Sequence, residues 1–173
     1  MLPSLTFVLG GAASGKSQIA ENIIINSGLT PVYLATARIW DDEIQTKVDA
    51  HRARRGPDWI TINAETDIAT PLAQATPDQA VLLDCATMWL TNTMLDERDL
   101  GAAQNTLLTA LAACTAPLVV VSNEVGQGIV PDNALTRQFR EAQGRLNIAL
   151  AAQADRVLHV VAGLSRTLKG DPL

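Results

Sequence analysis

The sequence is poor in cysteine. Its two, Cys85 and Cys114, sit in the apolar contexts LLDCATMWL and ALAACTAPL, and no Cys/His spacing suits zinc. This excludes a disulfide-stapled scaffold and a structural zinc module, and points to reduced, buried thiols. Basic charge is also scarce: 13 Lys and Arg stand against 18 Asp and Glu, a net charge of −5. A general nucleic-acid or membrane-surface binder is not expected, although a local basic cluster can still hold phosphates. Long apolar runs are missing too. The longest aliphatic run, LVVV, is far short of the roughly 20 residues that cross a bilayer. No Lys or Arg precedes Lys16, so the N-terminal stretch MLPSLTFVLGG lacks the basic start of a signal peptide and reads as a buried strand. A cytoplasmic location is expected. Repeats, low-complexity tracts and obvious linkers are absent as well.

What is present suits one globular domain over residues 1–173: 47% hydrophobic and 18% charged residues. Short aliphatic runs alternate with helical patterns. SLTFVLG, TPVYLAT, DWITIN, QAVLLDC, PLVVVSN and DRVLHVVAG read as strands. KSQIAENIIINSG reads as a helix with Ile19, Ile23 and Ile24 on one face and Gly28 as its stop. Further helices are expected over DDEIQTKVDAHRARRG, ATMWLTNTML, GAAQNTLLTALAACT and NALTRQFREAQGRLNIALAAQA. IATPLAQA reads as a short helix broken by Pro71, and SRTLKGDPL as a tail. The strands are unbroken apolar runs rather than alternating ones, as a mostly parallel sheet covered by helices on both faces requires. The expected class is therefore α/β.

GGAASGKS fits the phosphate-loop pattern G-x-x-x-x-G-K-[ST], with Gly10, Gly15, Lys16 and Ser17 at the defining places. It follows a strand and opens a helix. Glycines let backbone N–H groups converge on phosphate oxygens, and the helix adds the positive end of its dipole. Residues Gly10, Gly11, Ala12, Ala13, Ser14, Gly15, Lys16 and Ser17 are thus the candidate triphosphate site. Lys16 would bridge the β- and γ-phosphates, and Ser17 would ligate Mg²⁺. Asp84 ends the apolar run AVLLD, and in an open α/β sheet such strand ends face the ligand crevice. It reads either as the acid that orients Mg²⁺ or as a cap of the following helix. Glu124 ends another strand and reads either as a group that positions a substrate hydroxyl or as a plain loop acid.

His51 poses a separate question. Phosphoryl transfer at a phosphate loop needs a Lys, a Mg²⁺ and positioning, but no histidine. Ile44, Val48 and His51 share a helix face, so His51 can be a residue at the edge of the core. It also stands beside Arg52, Arg54 and Arg55, which make an anion site. A neutral imidazole can attack phosphorus and split a difficult transfer into two steps. A nucleotidyltransferase has use for that; a kinase does not.

At this point the residues match a family. GGAASGKS, YLATARIWDDEIQTKVDAHRARR, LLDCATMWLTN, SNEVGQGIVPDNALTRQFREAQGRLNIALAAQAD and the closing Leu168–Lys169 resemble the bifunctional adenosylcobinamide kinase / adenosylcobinamide-phosphate guanylyltransferases of cobalamin biosynthesis. The phosphate loop is shared with many NTPases; the NEVG-x-GIVP-x-N and A-T-x-x-x-DDE…H blocks are far more specific. The resemblance implies a P-loop, RecA-like NTPase subunit that assembles as a homotrimer. It implies phosphorylation of the aminopropanol hydroxyl of adenosylcobinamide by ATP or GTP. It also implies transfer of GMP from GTP, through a guanylyl-histidine, to adenosylcobinamide phosphate, giving adenosylcobinamide-GDP and pyrophosphate. The guanylylated residue falls on His51. GTP binding falls on residues 10–17, on Thr36, Ala37 and Arg38, and on Arg52, Ala53, Arg54 and Arg55, with Asp84 near the nucleotide. The chain departs from the family pattern once. A Glu usually stands four residues after the Trp, here Trp59, but that place holds Asn63, with Glu65 two further on. Either Glu65 meets the N1–H and N2–H₂ edge of guanine, or guanine is discriminated less sharply here.

Attack on the α-phosphate requires an approach of roughly 3–3.5 Å. His51 and the phosphate loop lie on different segments, so the helix bounded by TAR and GPDW is expected to swing between an empty and a loaded position. Two rival readings remain at this stage: a small-molecule kinase with a passive His51, and a noncatalytic module switched by nucleotide. Other residues read as structural. Arg137, Arg140 and Arg145 would line a solvated or interface face, with Arg137 paired to Glu141. Trp40, Met88 and Trp89 read as packing, and His159 as a buried strand residue. NEVGQGIVPDN is the best candidate for a substrate-contacting loop.

Overall fold

The computed structural model describes residues 2–39 and 42–173; the side chains of Glu43, Ile44, Lys47, His51 and Arg54 lie outside that description. The expected packing of Trp40, and the shared face of Ile44, Val48 and His51, therefore fall outside the described residues.

The chain begins with β1 (Leu5–Gly10), α1 (Lys16–Ile25), β2 (Thr30–Ala35) and α2 (Asp42–Arg55). It continues with β3 (Ile60–Asn63), α3 (Ala69–Gln74), β4 (Gln79–Asp84), α4 (Ala86–Leu95) and α5 (Leu100–Ala113). It closes with β5 (Leu118–Asn123), α6 (Ala134–Gln153), β6 (Arg156–Val161) and β7 (Leu164–Lys169). The strands form one sheet in the order β3-β2-β4-β5-β1-β6-β7. All neighbours are parallel except β6 and β7.

Both faces of the sheet are buried, which is why its strands are continuous apolar runs. One face packs Phe7, Leu34, Leu83, Leu118 and Val120 against Trp89, Leu107, Leu111, Leu146 and Leu150 of α4, α5 and α6. The other packs Val8, Tyr33, Leu82, Val119 and Val121 against Ala20, Ile23 and Ile24 of α1 and against Trp59. Ile19 is only partly buried at the rim of that layer. Side-chain caps begin the two longest helices on the first face: Asp99 accepts from Ala102 N–H at 2.9 Å, and Asn133 from Thr136 N–H at 2.8 Å.

Three expectations are corrected. Pro71 does not break its helix, because it is the third residue of α3, where the helix needs no N–H. The stretch after Gly163 is not a tail. Ala162 (φ 51°) and Gly163 (φ 78°) form a two-residue turn that folds β7 back on β6. Arg137 does not pair with Glu141. It donates to Pro131 O at 2.9 Å and Asp132 O at 2.7 Å, while Glu141 pairs with Arg145. His159 is half-buried in β6, opposite Arg166, and Trp89 is buried and donates Nε1–H to Thr66 O.

Candidate active site

Gly10, at the tip of β1, opens the phosphate loop in the middle of the sheet. A side chain has no room there: a Cβ would lie 2.5 Å from Ser14 Oγ and 2.6 Å from Val160 O. The loop turns through Ala13 at φ 53° and Gly15 at φ 92°, both left-handed, and Gly15 starts α1 as its N-cap. The turn between β6 and β7 seats the loop from outside. Gly163 N–H donates to Ser14 O at 2.8 Å, and a Cβ on Gly15 would come 3.1 Å from Gly163 Cα. The first helical bond of α1 runs from Ile19 N–H to Gly15 O, so the helix supplies no acceptor to the N–H groups of Lys16, Ser17 and Gln18. Ser14 Oγ, buried, also has no hydrogen-bond partner. Donors left over at a helix N-terminus fit phosphate oxygens.

Lys16 is buried and folds back on the loop, donating Nζ to Gly11 O at 3.0 Å. Burial lowers its pKa below the ordinary 10.5, against the opposing charge of Asp84. Asp84 ends β4, with β5 between it and β1. It does not cap α4: that position belongs to Cys85, whose side chain makes no capping bond. Asp84 lies close enough to Tyr33 for its charge to act on the phenol. Burial, then the Asp84 charge, pushes the Tyr33 phenol well above its usual range. The Asp84–Cys85 peptide is cis.

The donors here suit Mg²⁺. This ion takes phosphate oxygens and waters, with one or two protein ligands, and does not need a cage of carboxylates. Ser17 at the first turn of α1 and Asp84 at the tip of β4 are such donors, and no cluster of three or more His, Cys, Asp or Glu occurs among the described residues.

The segment after β2 is tied to the tip of β4. Thr36, fully buried, donates Oγ1–H to Cys85 O and accepts from Cys85 N–H, both at 2.8 Å. Asn92 Nδ2 bridges Thr36 O at 2.8 Å and Glu65 O at 2.9 Å. Ala37 is half-buried. Arg38 donates Nε–H to Glu65 and grips Asp96 with two bonds of 2.7 Å. The fork holds the Asp96 carboxyl below its ordinary range. Asn63 is exposed at the end of β3 and, with Glu65, Asp67 and Thr70, lines a cleft of about 330 Å³.

The expected row of arginines divides. Arg52 and Ala53 are exposed on α2. Arg55, one turn after His51, is turned inward. Its guanidinium carbon lies 3.4 Å from the centre of the Tyr33 ring, and Nη1 is 3.8 Å from Glu21 Oε1. Both side chains are almost fully buried, at 4% and 2% exposure. Trp59 meets the edge of Tyr33 with ring centres 6.3 Å apart. The sequence reading did not name Tyr33, Glu21, Asn92 or Asp96. Glu21 left one trace: an acid three residues before Ile24, bordering the apolar stripe of α1.

Glu124 follows β5 beside the loop. Its N–H donates to Gly10 O at 3.0 Å, and its carboxylate accepts from Gly126 N–H at 2.6 Å. Arg140 reaches back from α6 to Gly126 O and Ile129 O. Beneath the tip of β5, Gln143, Asn147, Ser122 and Thr87 form a buried polar network. It holds the Asn123 backbone from both sides, through Thr87 Oγ1 and Asn147 Nδ2.

A phosphate loop at the tip of β1, with an acid two strands away across one mostly parallel sheet, defines a P-loop NTPase of the RecA-like class. Solved structures agree on the fold. A prototypical ATPase from the type III secretion system of pathogenic bacteria superposes with a TM-score of 0.55 at 11% identity, covering 96% of this chain and 57% of that one. A Pyrococcus horikoshii OT3 protein superposes with a TM-score of 0.59 at 10% identity, covering 99% of this chain and 88% of that one. Sequence goes further. The profile of the family described as cobinamide kinase / cobinamide phosphate guanyltransferase matches residues 6–168, and the chain belongs to that family. The bifunctional adenosylcobalamin biosynthesis protein CobP of Pseudomonas aeruginosa is 40% identical over 169 residues, 96% of this chain and 98% of the relative. The bifunctional adenosylcobalamin biosynthesis protein CobU of Escherichia coli is 36% identical over 181 aligned positions, 95% and 99% of the two chains.

Proposed function

We infer that the chain carries out both family reactions at one nucleotide site, as a cytoplasmic enzyme of cobalamin biosynthesis. In the first, the hydroxyl oxygen of adenosylcobinamide attacks the γ-phosphorus of ATP or GTP, loses its proton, and the nucleoside diphosphate leaves. In the second, an imidazole nitrogen of His51 attacks the α-phosphorus of GTP. The N–P bond forms as the bond to the bridging oxygen breaks, and pyrophosphate departs. A phosphate oxygen of adenosylcobinamide phosphate then takes the GMP, which frees the imidazole and gives adenosylcobinamide-GDP.

The observation that carries this reading is the family match over residues 6–168 together with a loop whose Lys16 and helix N-terminus are set for a triphosphate. Residues 10–17 hold the phosphates, and Lys16 offsets the charge that develops on them. Ser17 and Asp84 would hold Mg²⁺, which when bound would supply Lewis-acid stabilisation of the phosphate oxygens. Thr36, Ala37 and Arg38 border the nucleoside, and the Asn63–Glu65 cleft receives the purine. Arg52 and Arg54 face the triphosphate once α2 swings toward the loop, and Arg55 remains at the hinge. The continuous sheet from Leu5 to Lys169 supports reading the chain as one nucleotide-binding domain. A homotrimer is the assembly we expect, by family resemblance.

The test is incubation with GTP labelled at the α-phosphate. Acid-labile, base-stable label on wild type and none on His51→Ala supports the reading. Unlabelled protein that still phosphorylates adenosylcobinamide leaves a kinase alone. Nucleotide binding without turnover of either acceptor leaves a noncatalytic module.

A further inference from the structure

Among the described residues of α2 none is in the buried class as a whole: Gln45, Val48 and Arg55 are half-buried, and the others are exposed. The helix's described hold on the body is the Arg55 guanidinium, which lies flat on Tyr33 and beside Glu21. Gly56 then ends the helix at φ 79°, and Trp59, three residues on, closes the other edge of the same ring.

The residues around this guanidinium stand on elements that lead to the phosphate site. Glu21 stands on α1, the helix whose first turn carries Lys16 and Ser17. Tyr33 stands on β2, the strand that leads to Thr36, and feels the charge of Asp84 at the tip of β4. A continuous line thus runs from the phosphate loop and Asp84, through Glu21 and Tyr33, to Arg55 and the C-terminal end of the helix bearing His51. Arg55 Nη1 is buried and makes no hydrogen bond, standing 3.8 Å from Glu21. A buried cation kept at that distance is costly as an ornament, since stacking and charge attraction only partly replace its lost hydration. A planar guanidinium suits the place because it stacks on an aromatic face while keeping its charge; a lysine ammonium does not present that plane.

We propose that Arg55, caged by Tyr33 and Glu21, is a positioning residue for guanylyl transfer: it fixes the foot of the His51 helix to the walls of the phosphate site. The proposal rests on the reading of His51 as the nucleophile. It assigns Arg55 chiefly to the guanylyl step, because α2 carries the nucleophile of that step.

Two rates are measured on the same preparations: protein-bound GMP from α-labelled GTP, and phosphorylation of adenosylcobinamide by ATP. The expected result for Arg55→Met is a loss in the rate of adduct formation at least roughly tenfold larger than any loss in kcat/KM for phosphorylation. Arg55→Lys, which keeps the charge without the plane, should recover part of the labelling rate. Removing one member of a buried pair can unfold a protein. If Arg55→Met does not fold, the Glu21→Gln/Arg55→Met double variant removes both charges and is judged by the same split. A folded variant that labels at the wild-type rate overturns the proposal, and so does one in which both activities fall by the same factor. Failure of the underlying reading looks different: wild type takes no label, or His51→Ala keeps it, whatever Arg55 does.

Discussion

Burial dominates the ionisation of three neighbours of Asp84, and the charge of Asp84 raises all three. Burial and a nearby anion push an acid the same way, so Tyr33 and Cys85 are both raised. For Lys16 the two effects oppose, and burial prevails. Burial, reinforced by Asp84, pushes the Cys85 thiol up to about 12. At pH 8 that leaves about one thiolate in ten thousand, and the thiol is closed to solvent besides. Cys114 is half-exposed and only raised by partial burial. Iodoacetamide on the native protein should therefore modify Cys114 and spare Cys85, with both reacting after denaturation; peptide mass mapping reads the result. Legibility at this scale followed sequence distance. Lys16 and its glycines announce themselves because the chemistry is contiguous. The cage of Arg55, Tyr33 and Glu21 does not, because a strand, a helix and a helix end meet only after the sheet has formed. Asn63 and Glu65 were singled out by their departure from the family pattern, but the grip of Arg38 on Glu65 was beyond any local pattern.

At the scale of elements, the junction between β2 and α2 is braced by charge. Arg38 joins Glu65 after β3 and Asp96 after α4. The carboxyl of Asp96 is depressed below its ordinary 3.8 by the Arg38 hydrogen bonds, so the folded state binds its proton less readily than the unfolded chain. The resulting contribution to stability is fully present above that ordinary value and is lost as pH falls through the folded one. Asp96→Asn should lower Tm at neutral pH, and the gap from wild type should close as acid is added below 3.8. A gap that persists unchanged in acid would mean the bond contributes through packing and not through charge. The elements themselves were largely legible, since β1, β2, β4, β5 and β6 are buried on both faces and so uniformly apolar. The strand β7 was not: it is exposed along nearly its whole length at the sheet edge, and its residues carry neither an apolar run nor an alternating face.

At the scale of the molecule, one sheet separates two packed layers, and the layer of α4, α5 and α6 is the larger. Leu150 of α6 is fully buried there with Leu146 and the β1 side chains Leu5 and Phe7. Leu150→Ala should destabilise the protein by about 2–5 kcal/mol, the usual range for emptying a packed leucine site. Urea titration should show the loss as a shifted midpoint with unchanged slope. Nucleotide affinity should survive in the folded fraction, since Leu150 packs in the layer opposite the one that holds Val160 under the phosphate loop. The floor of that loop has a temporal consequence. Ribosomes deliver residues 10–17 long before Gly163, the residue that seats them. A nascent chain therefore carries its triphosphate cradle unfinished for most of translation, and competence to take up nucleotide arrives late, when the final hairpin docks and locks the opening motif in place.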